Sequence, residues 1–320
     1  MFGYNARMRE TVSARAPTRI DFVGGWTDVQ PFCNDDAGLV INAAFGVRAR
    51  VVVRVMGNAN QATDPFVRAA CKRIDLKNVV VELTSDAPLG SGLGGSGAVG
   101  VALVGALAAC ARKNMSRREI AELAHQIEVE DLGIIGGKQD QYAAAFGGFL
   151  ALTFLGNTVE IQQLVLDETR VRELQARSVV VYTGQSRVSG DIHARVQEAF
   201  RARNPDTLNA LAMIRRVARA FRHELQNGSL DALGELLNEN WAAQKQLHSS
   251  TTNARVDEFF RVAGNAGALG GKALGAGGGG CLYFLARTGE TPHLQDALRA
   301  EGGEILGAPF DLAGFDALTA

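Results

Sequence analysis

The chain has 320 residues, 47% hydrophobic and 21% charged, with 33 Lys plus Arg against 34 Asp plus Glu. That balance excludes the cationic excess with which proteins grip a nucleic-acid backbone, and the length predicts two moderate domains. The 37 glycines stand well above the usual share of about 7% and concentrate in a few loops. Cys33, Cys71, Cys110 and Cys281 are far apart and show no CxxC or Cys/His ligand spacing, so they read as reduced thiols without a zinc site. The polar start "MFGYNARMRETVSARAP" lacks the apolar core of a signal peptide, and no run reaches the roughly 18 apolar residues of a membrane span. A cytoplasmic protein with no membrane partner is expected.

In chain order, "TVSARAPTRIDFVGG" (11–25) and "LVINAAFGVRARVVVRVM" (39–56) alternate apolar and polar residues and read as strands, as does "NVVVELTSD" (78–86). "PLGSGLGGSGAVG" (88–100) then leads into an Ala, Val and Leu run that predicts a buried helix over 99–113. Ser116 and Glu119 form a capping box ahead of Ile120, Leu123, Ala124 and Ile127, whose spacing predicts a helix to about Leu132. "LGIIGGKQDQYAAAFGGFLALTF" (132–154) reads as turn, helix, turn and strand, and "RSVVVYTGQSR" (177–187) as a strand ending in a polar loop. Residues 190–247 predict two or three helices broken near "NGS" at 227–229. "DEFFRVAGNAGALGGKALGAGGGGCLYFLAR" (257–287) reads as helix, glycine loop and strand. A tight boundary near 165–177 divides the chain into 1–170 and 171–320.

The loop at 88–100 holds six glycines and two serines. Glycine costs more ordering entropy than any other residue, yet its amide can touch a ligand and its φ can be positive. The first amides of a helix lack intrahelical partners and face the positive end of the macrodipole, so this loop predicts a phosphate site. Gly92, Gly94 and Gly97 match G-x-G-x-x-G, as do Gly275, Gly277 and Gly280. A dinucleotide fold needs the first glycine directly after a strand and an acidic strand end about 20 residues on, whereas "SDAPL" intervenes and "KNMSRRE" follows. No G-x-x-x-x-G-K-[ST] occurs, which removes the Walker alternative.

Three ordered stretches, "RAPTRIDFVGGWTD" (15–28), "PLGSGLGGSGA" (88–98) and "GGKALGAGGGGCLYF" (270–284), resemble the motifs of the GHMP sugar and metabolite kinases. Within that family "IEVEDLGIIGGKQDQYAAAFGGF" and "TGQSRVSGDI" are similar to the D-glycero-D-manno-heptose 7-phosphate kinases, and "RIDFVGGWTD" also to the kinase half of L-fucokinases. The resemblance implies a two-domain α+β fold, with a ribosomal protein S5 domain 2-like N-terminal domain and a ferredoxin-like C-terminal one. It implies an ATP- and magnesium-dependent kinase, a monomer or homodimer, that phosphorylates a sugar or sugar phosphate at its anomeric hydroxyl, with heptose 7-phosphate as the leading substrate. The alternatives are a free-sugar 1-kinase and a catalytically silent metabolite-binding protein.

By the same resemblance, Pro88, Gly90, Ser91, Gly92, Leu93, Gly94, Gly95 and Ser96 hold the nucleotide phosphates, and Ser96 with Glu128 holds magnesium, Glu130 being the fallback. Gly95 stands where a serine is common in the family. Asp140 is the expected base or orienting group for the acceptor hydroxyl, and Arg19 balances developing charge. Asp28 is the expected sugar-binding carboxylate; Trp26 either stacks on the sugar or merely packs. Lys138 is expected to hold a phosphate or act on Asp140, with Gln139 beside it. Thr183, Arg187 and Ser189 lie towards the substrate, Arg187 being the favoured partner of a substrate phosphate. Gly275 to Gly280, including Gly277 and Gly278, form a second backbone wall with Lys272 nearby. No role is assigned to any histidine, and the adenine pocket is not read.

Overall fold

The computed structural model describes residues 11–34, 36–56, 63–186 and 189–319. Strand β1 (Thr11–Val23) runs antiparallel to β2 (Gly38–Val55), from Thr11 opposite Arg54 to Val23 opposite Ile41. The first half of β1 alternates, with Val12 and Ala14 buried while Ser13 and Arg15 face solvent. From Ala16 on, every residue of the strand is buried, because the second lobe covers the face that would otherwise meet water. The register shifts after Pro17, which has no N–H to donate, and again between Asp21 and Val23; such bulges re-aim side chains beside functional sites.

Helix α1 (Pro65–Ile74) starts with proline at its first turn, where the missing N–H costs nothing, and Asp64 caps it. After β3 (Val79–Ser85) comes α2 (Gly95–Cys110), apolar on all sides and buried against β1 and β2, as expected of a helix with no polar face. It starts four residues earlier than the sequence predicts, so the last glycines of the loop form its first turn. The Ser116–Glu119 capping box is formed at the start of α3 (Arg117–Gln126). That helix stops short of Leu132, and a π-helical turn, Ile127–Asp131, takes its place. Helix α4 (Gln139–Phe146), β4 (Phe149–Leu155) and β5 (Thr158–Gln163) complete the first pass.

The second lobe follows through α5 (Glu168–Arg177), β6 (Ser178–Tyr182), α6 (Ser189–Arg201), α7 (Pro205–Asn227) and α8 (Leu230–Leu247). Then come α9 (Ala254–Asn265), β7 (Ala268–Ala273), β8 (Cys281–Ala286), α10 (Thr291–Ala300), β9 (Glu304–Ile305) and β10 (Asp316–Thr319). The first sheet has the order β10-β1-β2-β4-β5 with β3 also on β2; the second has the order β7-β8-β6-β9. This is the α+β arrangement implied by the resemblance. The sequence boundary at 170 falls inside α5, and the last strand returns to pair with Val12–Arg15 of the first sheet. One apolar cluster, including Phe22, Phe149, Phe221 and Tyr283, spans both lobes. Among the described residues no helix is long and apolar enough to cross a membrane.

Candidate active site

The glycine loop joins β3 to α2. Gly90, Gly92 and Gly94 have φ of 68°, 78° and 73°, left-handed values that glycine adopts without a steric cost. Gly94 is the N-cap of α2 and makes no side-chain cap bond, which leaves the first amides of a buried helix for an anion. The other reason for bare backbone is Asp140. A Cβ on Gly94 would lie 2.9 Å from Asp140 Cγ, and one on Gly97 would lie 2.7 Å from Asp140 Cβ. Only glycine lets that carboxylate press against the helix entrance. Gly95 differs, since a Cβ there would meet only Ala87 at 3.7 Å.

Arg19, 4% exposed, reaches Asp140 from β1 through Nε at 2.8 Å and Nη2 at 2.7 Å. Its Nη1 donates to Gly92 O, and its backbone N–H donates to Leu93 O at 2.9 Å. The guanidinium therefore ties together the strand, the phosphate loop and α4. Glu128 projects from the π-helical turn and is buried. Gln141 Nε2 donates to it. Burial pushes its carboxyl up to about 7, with the Asp140 charge adding to the effect and hydrogen bonds from Ser96 and Gln141 opposing it. A buried carboxylate beside a hydroxyl, short of positive charge and facing a phosphate cradle, suits a hard divalent cation that keeps water and phosphate ligands. Glu130 faces away and pairs with Arg73 at 2.8 Å, so the fallback ligand drops out.

Two adjoining cavities meet at these groups. The larger, about 500 Å³, is lined by Pro88 to Gly92 and Gly94 to Ser96, while Leu93 is buried in the core instead, and by the apolar side chains of Phe66, Val99, Leu132 and Ile134. The smaller, about 120 Å³, holds Trp26, Asp28, Gln139 and Asp21. Arg19, Ser96, Glu128, Asp140 and His193 line both. Burial pushes the Asp28 carboxyl up to about 7, helped by the charges of Asp140 and Asp21; Gln139 Nε2 donates to it at 3.3 Å. Trp26 is buried with φ of 78°, and its ring lies 4.5 Å from that of His193. Its indole Nε1 is buried without a hydrogen-bond partner among the described residues.

Other expected site residues lie elsewhere. Lys138 Nζ donates to Glu122 at 2.7 Å and to Asn157 O at 3.2 Å and lines neither cavity; the carboxylate of α3 draws it away from Asp140. Thr183 is buried and its Oγ1 donates to Gly280 O at 2.9 Å, bracing the second glycine loop from behind. Gly277 and Gly278 pack on Thr251 and Ser250, and Gly275 and Ala276 are the part of that loop that reaches the cavities. Lys272 is fully buried and donates to Asp21 at 2.8 Å, a pair that joins β7 to β1. Arg187 and the side chain of Ser189 lie outside the described residues. The sequence assigns no histidine a role; His193 lines both cavities, and its place beside Trp26 depends on how α6 packs and carries no sequence signal. The apolar lining of the larger cavity, too, draws on segments far apart in the chain.

Residues 58–148 match the family model of the GHMP kinases N terminal domain, and residues 221–304 that of the GHMP kinases C terminal. The chain is 29% identical to the D-glycero-alpha-D-manno-heptose 7-phosphate kinase of Campylobacter jejuni, over 95% of this chain and 98% of that one. It is 34% identical to a mevalonate kinase of Pyrococcus horikoshii, over 78% of this chain and 70% of that one. The crystal structure of a D-glycero-D-manno-heptose 1-phosphate kinase from Bacteriodes thetaiotaomicron is similar with a TM-score of 0.76 and 27% identity, covering 97% of this chain and 99% of that one.

Proposed function

The chain belongs to the GHMP kinase family of ATP-dependent phosphotransferases, and from that premise we propose that it phosphorylates the anomeric hydroxyl of a heptose 7-phosphate, giving the 1,7-bisphosphate. The observation that carries the site assignment is the Arg19–Asp140 pair, set where the phosphate-loop cavity meets the smaller polar one. The triphosphate lies over the amides from Gly90 to Ser96, and the base fills the apolar pocket of Phe66, Val99 and Leu132. Ser96 and Glu128 would hold Mg²⁺, which when bound offsets the charge of the phosphate oxygens.

The sugar occupies the smaller cavity. Asp28, with its carboxyl pushed up to about 7, both donates to and accepts from sugar hydroxyls near neutral pH. Asp140 orients the anomeric hydroxyl and takes its proton as that oxygen bonds to the γ-phosphorus and the bond to ADP breaks. Arg19 balances charge at the same point and holds the carboxylate in place. A coupled ADP-release assay across heptose 7-phosphate, fucose, galactose and mannose tests the reading. The fastest turnover is expected with the phosphorylated heptose, and no turnover on any phosphorylated sugar removes it.

One observation favours a free sugar instead. Among the described residues lining the smaller cavity, Arg19 is the sole Arg or Lys, and it is engaged with Asp140. For a remote substrate phosphate the resemblance offers Arg187. If Arg187→Ala raises the KM for heptose 7-phosphate about tenfold or more, the phosphate reading stands; an unchanged KM supports the free-sugar kinase.

A further inference from the structure

We propose that Gln141 is a positioning residue for the metal-holding carboxylate, its side-chain amide fixing Glu128 beside Ser96 before the cation arrives; this rests on the kinase reading above. Gln141 lies in the first turn of α4, is 1% exposed and lines the smaller cavity. Its Nε2 donates to Glu128 Oε2.

Glu128 needs such a hold. It projects from the π-helical turn Ile127–Asp131, where the backbone leaves the α-helical register, as it often does at functional sites. A glutamate side chain has several free torsions, and freezing them in one direction costs entropy that its partners must offset. Those partners are the hydroxyl of Ser96 and the amide of Gln141. Ser96 is itself assigned to the cation, and Gln141 is not.

The amide's own pairing carries the argument further. A carboxylate that holds a metal can only accept, so the amide must turn its Nε2 towards it. Its Oε1 is then left buried with no hydrogen-bond partner among the described residues. An unpaired buried acceptor destabilises a fold, and an apolar side chain of the same length would fill the space without one. The donor is what the amide supplies at that cost. Gln139, two residues earlier, repeats the pattern, since its Nε2 donates to Asp28 at 3.3 Å and its Oε1 is likewise buried without a partner. One turn of α4 thus carries Asp140 and holds the carboxyls of Asp28 and Glu128 on either side of it.

Gln141→Met keeps the length of the side chain and removes the donor; Glu128→Gln removes the charge that would hold the cation. Calorimetry measures the affinity of the non-hydrolysable ATP analogue AMP-PNP in EDTA and over a series of Mg²⁺ concentrations. In Gln141→Met the Mg²⁺ concentration that gives half of the gain in AMP-PNP affinity is expected to rise about tenfold or more, while affinity in EDTA stays within about twofold. The two effects are expected not to add: once Glu128 has lost its charge, removing the Gln141 donor changes the Mg²⁺ dependence less than about twofold. Melting temperatures check the fold of each variant. If Gln141→Met does not melt cooperatively, Gln141→Asn, whose amide stops one carbon short of Glu128, takes its place with the same expectations. An unchanged Mg²⁺ dependence, an equal loss in EDTA, or additive losses in the double variant overturns the role of Gln141 and leaves the kinase reading in place. If Mg²⁺ has no effect on the wild type, or if Glu128→Gln responds to it unchanged, the metal assignment and this inference fall together. If the wild-type protein binds AMP-PNP under neither condition, the kinase reading falls with them.

Discussion

Asp140 and Asp28 share one cavity, and the proposed mechanism gives them different tasks. Asp140 is held by Arg19 where the proposed mechanism puts the reacting oxygen. Asp140→Asn keeps the shape and removes that capacity, and turnover is expected to fall about a hundredfold or more while AMP-PNP affinity measured by calorimetry stays within about threefold. A variant with wild-type turnover would falsify the assigned role. Asp28 is buried among other carboxylates and its pKa is raised from 3.8 to about 7. Between those values the folded protein keeps a proton that the unfolded chain has released, so this group lowers stability as pH climbs through that window. At one pKa unit per about 1.4 kcal/mol, the penalty at pH 8 is a few kcal/mol. Asp28→Asn is therefore expected to raise the melting temperature over wild type by several degrees more at pH 8 than at pH 5. Equal differences at the two pH values would show that burial of this carboxyl is not what limits stability.

Among the elements, the glycine loop was the most legible in the sequence, because glycines beside a helix-forming run have few physical explanations. What the pattern did not show is that its glycines serve unlike purposes. Gly94 and Gly97 are small because Asp140 of α4 lies against them, whereas a Cβ on Gly95 would only touch Ala87 at 3.7 Å. Gly97→Ala is expected to push α4 outward, lowering stability by about 1–3 kcal/mol and turnover about tenfold or more. Gly95→Ser fits without a clash, and its hydroxyl adds a donor near the phosphates. Its nucleotide affinity by calorimetry is expected to rise about threefold to tenfold with an unchanged melting temperature. If both variants behave alike, the contacts of Asp140 do not explain the loop. The capping box of α3 was equally readable, since Ser116 and Glu119 are neighbours in sequence. The π-helical turn that follows was not, because it turns Glu128 inward and leaves Glu130 to Arg73, a choice made by packing against α1. The sequence predicts a loop where β7 lies, since Gly270 and Gly271 offer no side chains to give an alternating pattern.

At the scale of the whole molecule, the two lobes share their hydrophobic core and their last segment. Phe310 sits 4.9 Å from Phe149 and 6.1 Å from Phe22, ring to ring. Asp311 N–H donates to Ala44 O at 2.8 Å, and Gly148 N–H donates to Asp311 O at 2.7 Å. Phe315 lies where Gly105 of α2 leaves room for it, and β10 closes the edge of β1. Composition gave no warning of this, because "APFDLAGFDALT" has neither strand alternation nor helix spacing and takes its place only once the sheet exists. Every residue assigned to phosphate, metal or sugar precedes this tail, so deleting it tests whether the site can stand on the preceding chain alone. A protein ending at Gly307 exposes Phe22 and Phe149 and loses an edge strand. It is expected to show no cooperative melt and no nucleotide binding by calorimetry. Phe310→Ala removes one large side chain from the same place, at a cost of about 3–5 kcal/mol, and its melting temperature is expected to fall by about 10 °C with kcat nearly unchanged. A truncated chain that melts at the wild-type temperature and binds AMP-PNP as well would show that the first sheet holds the site without its returning strand.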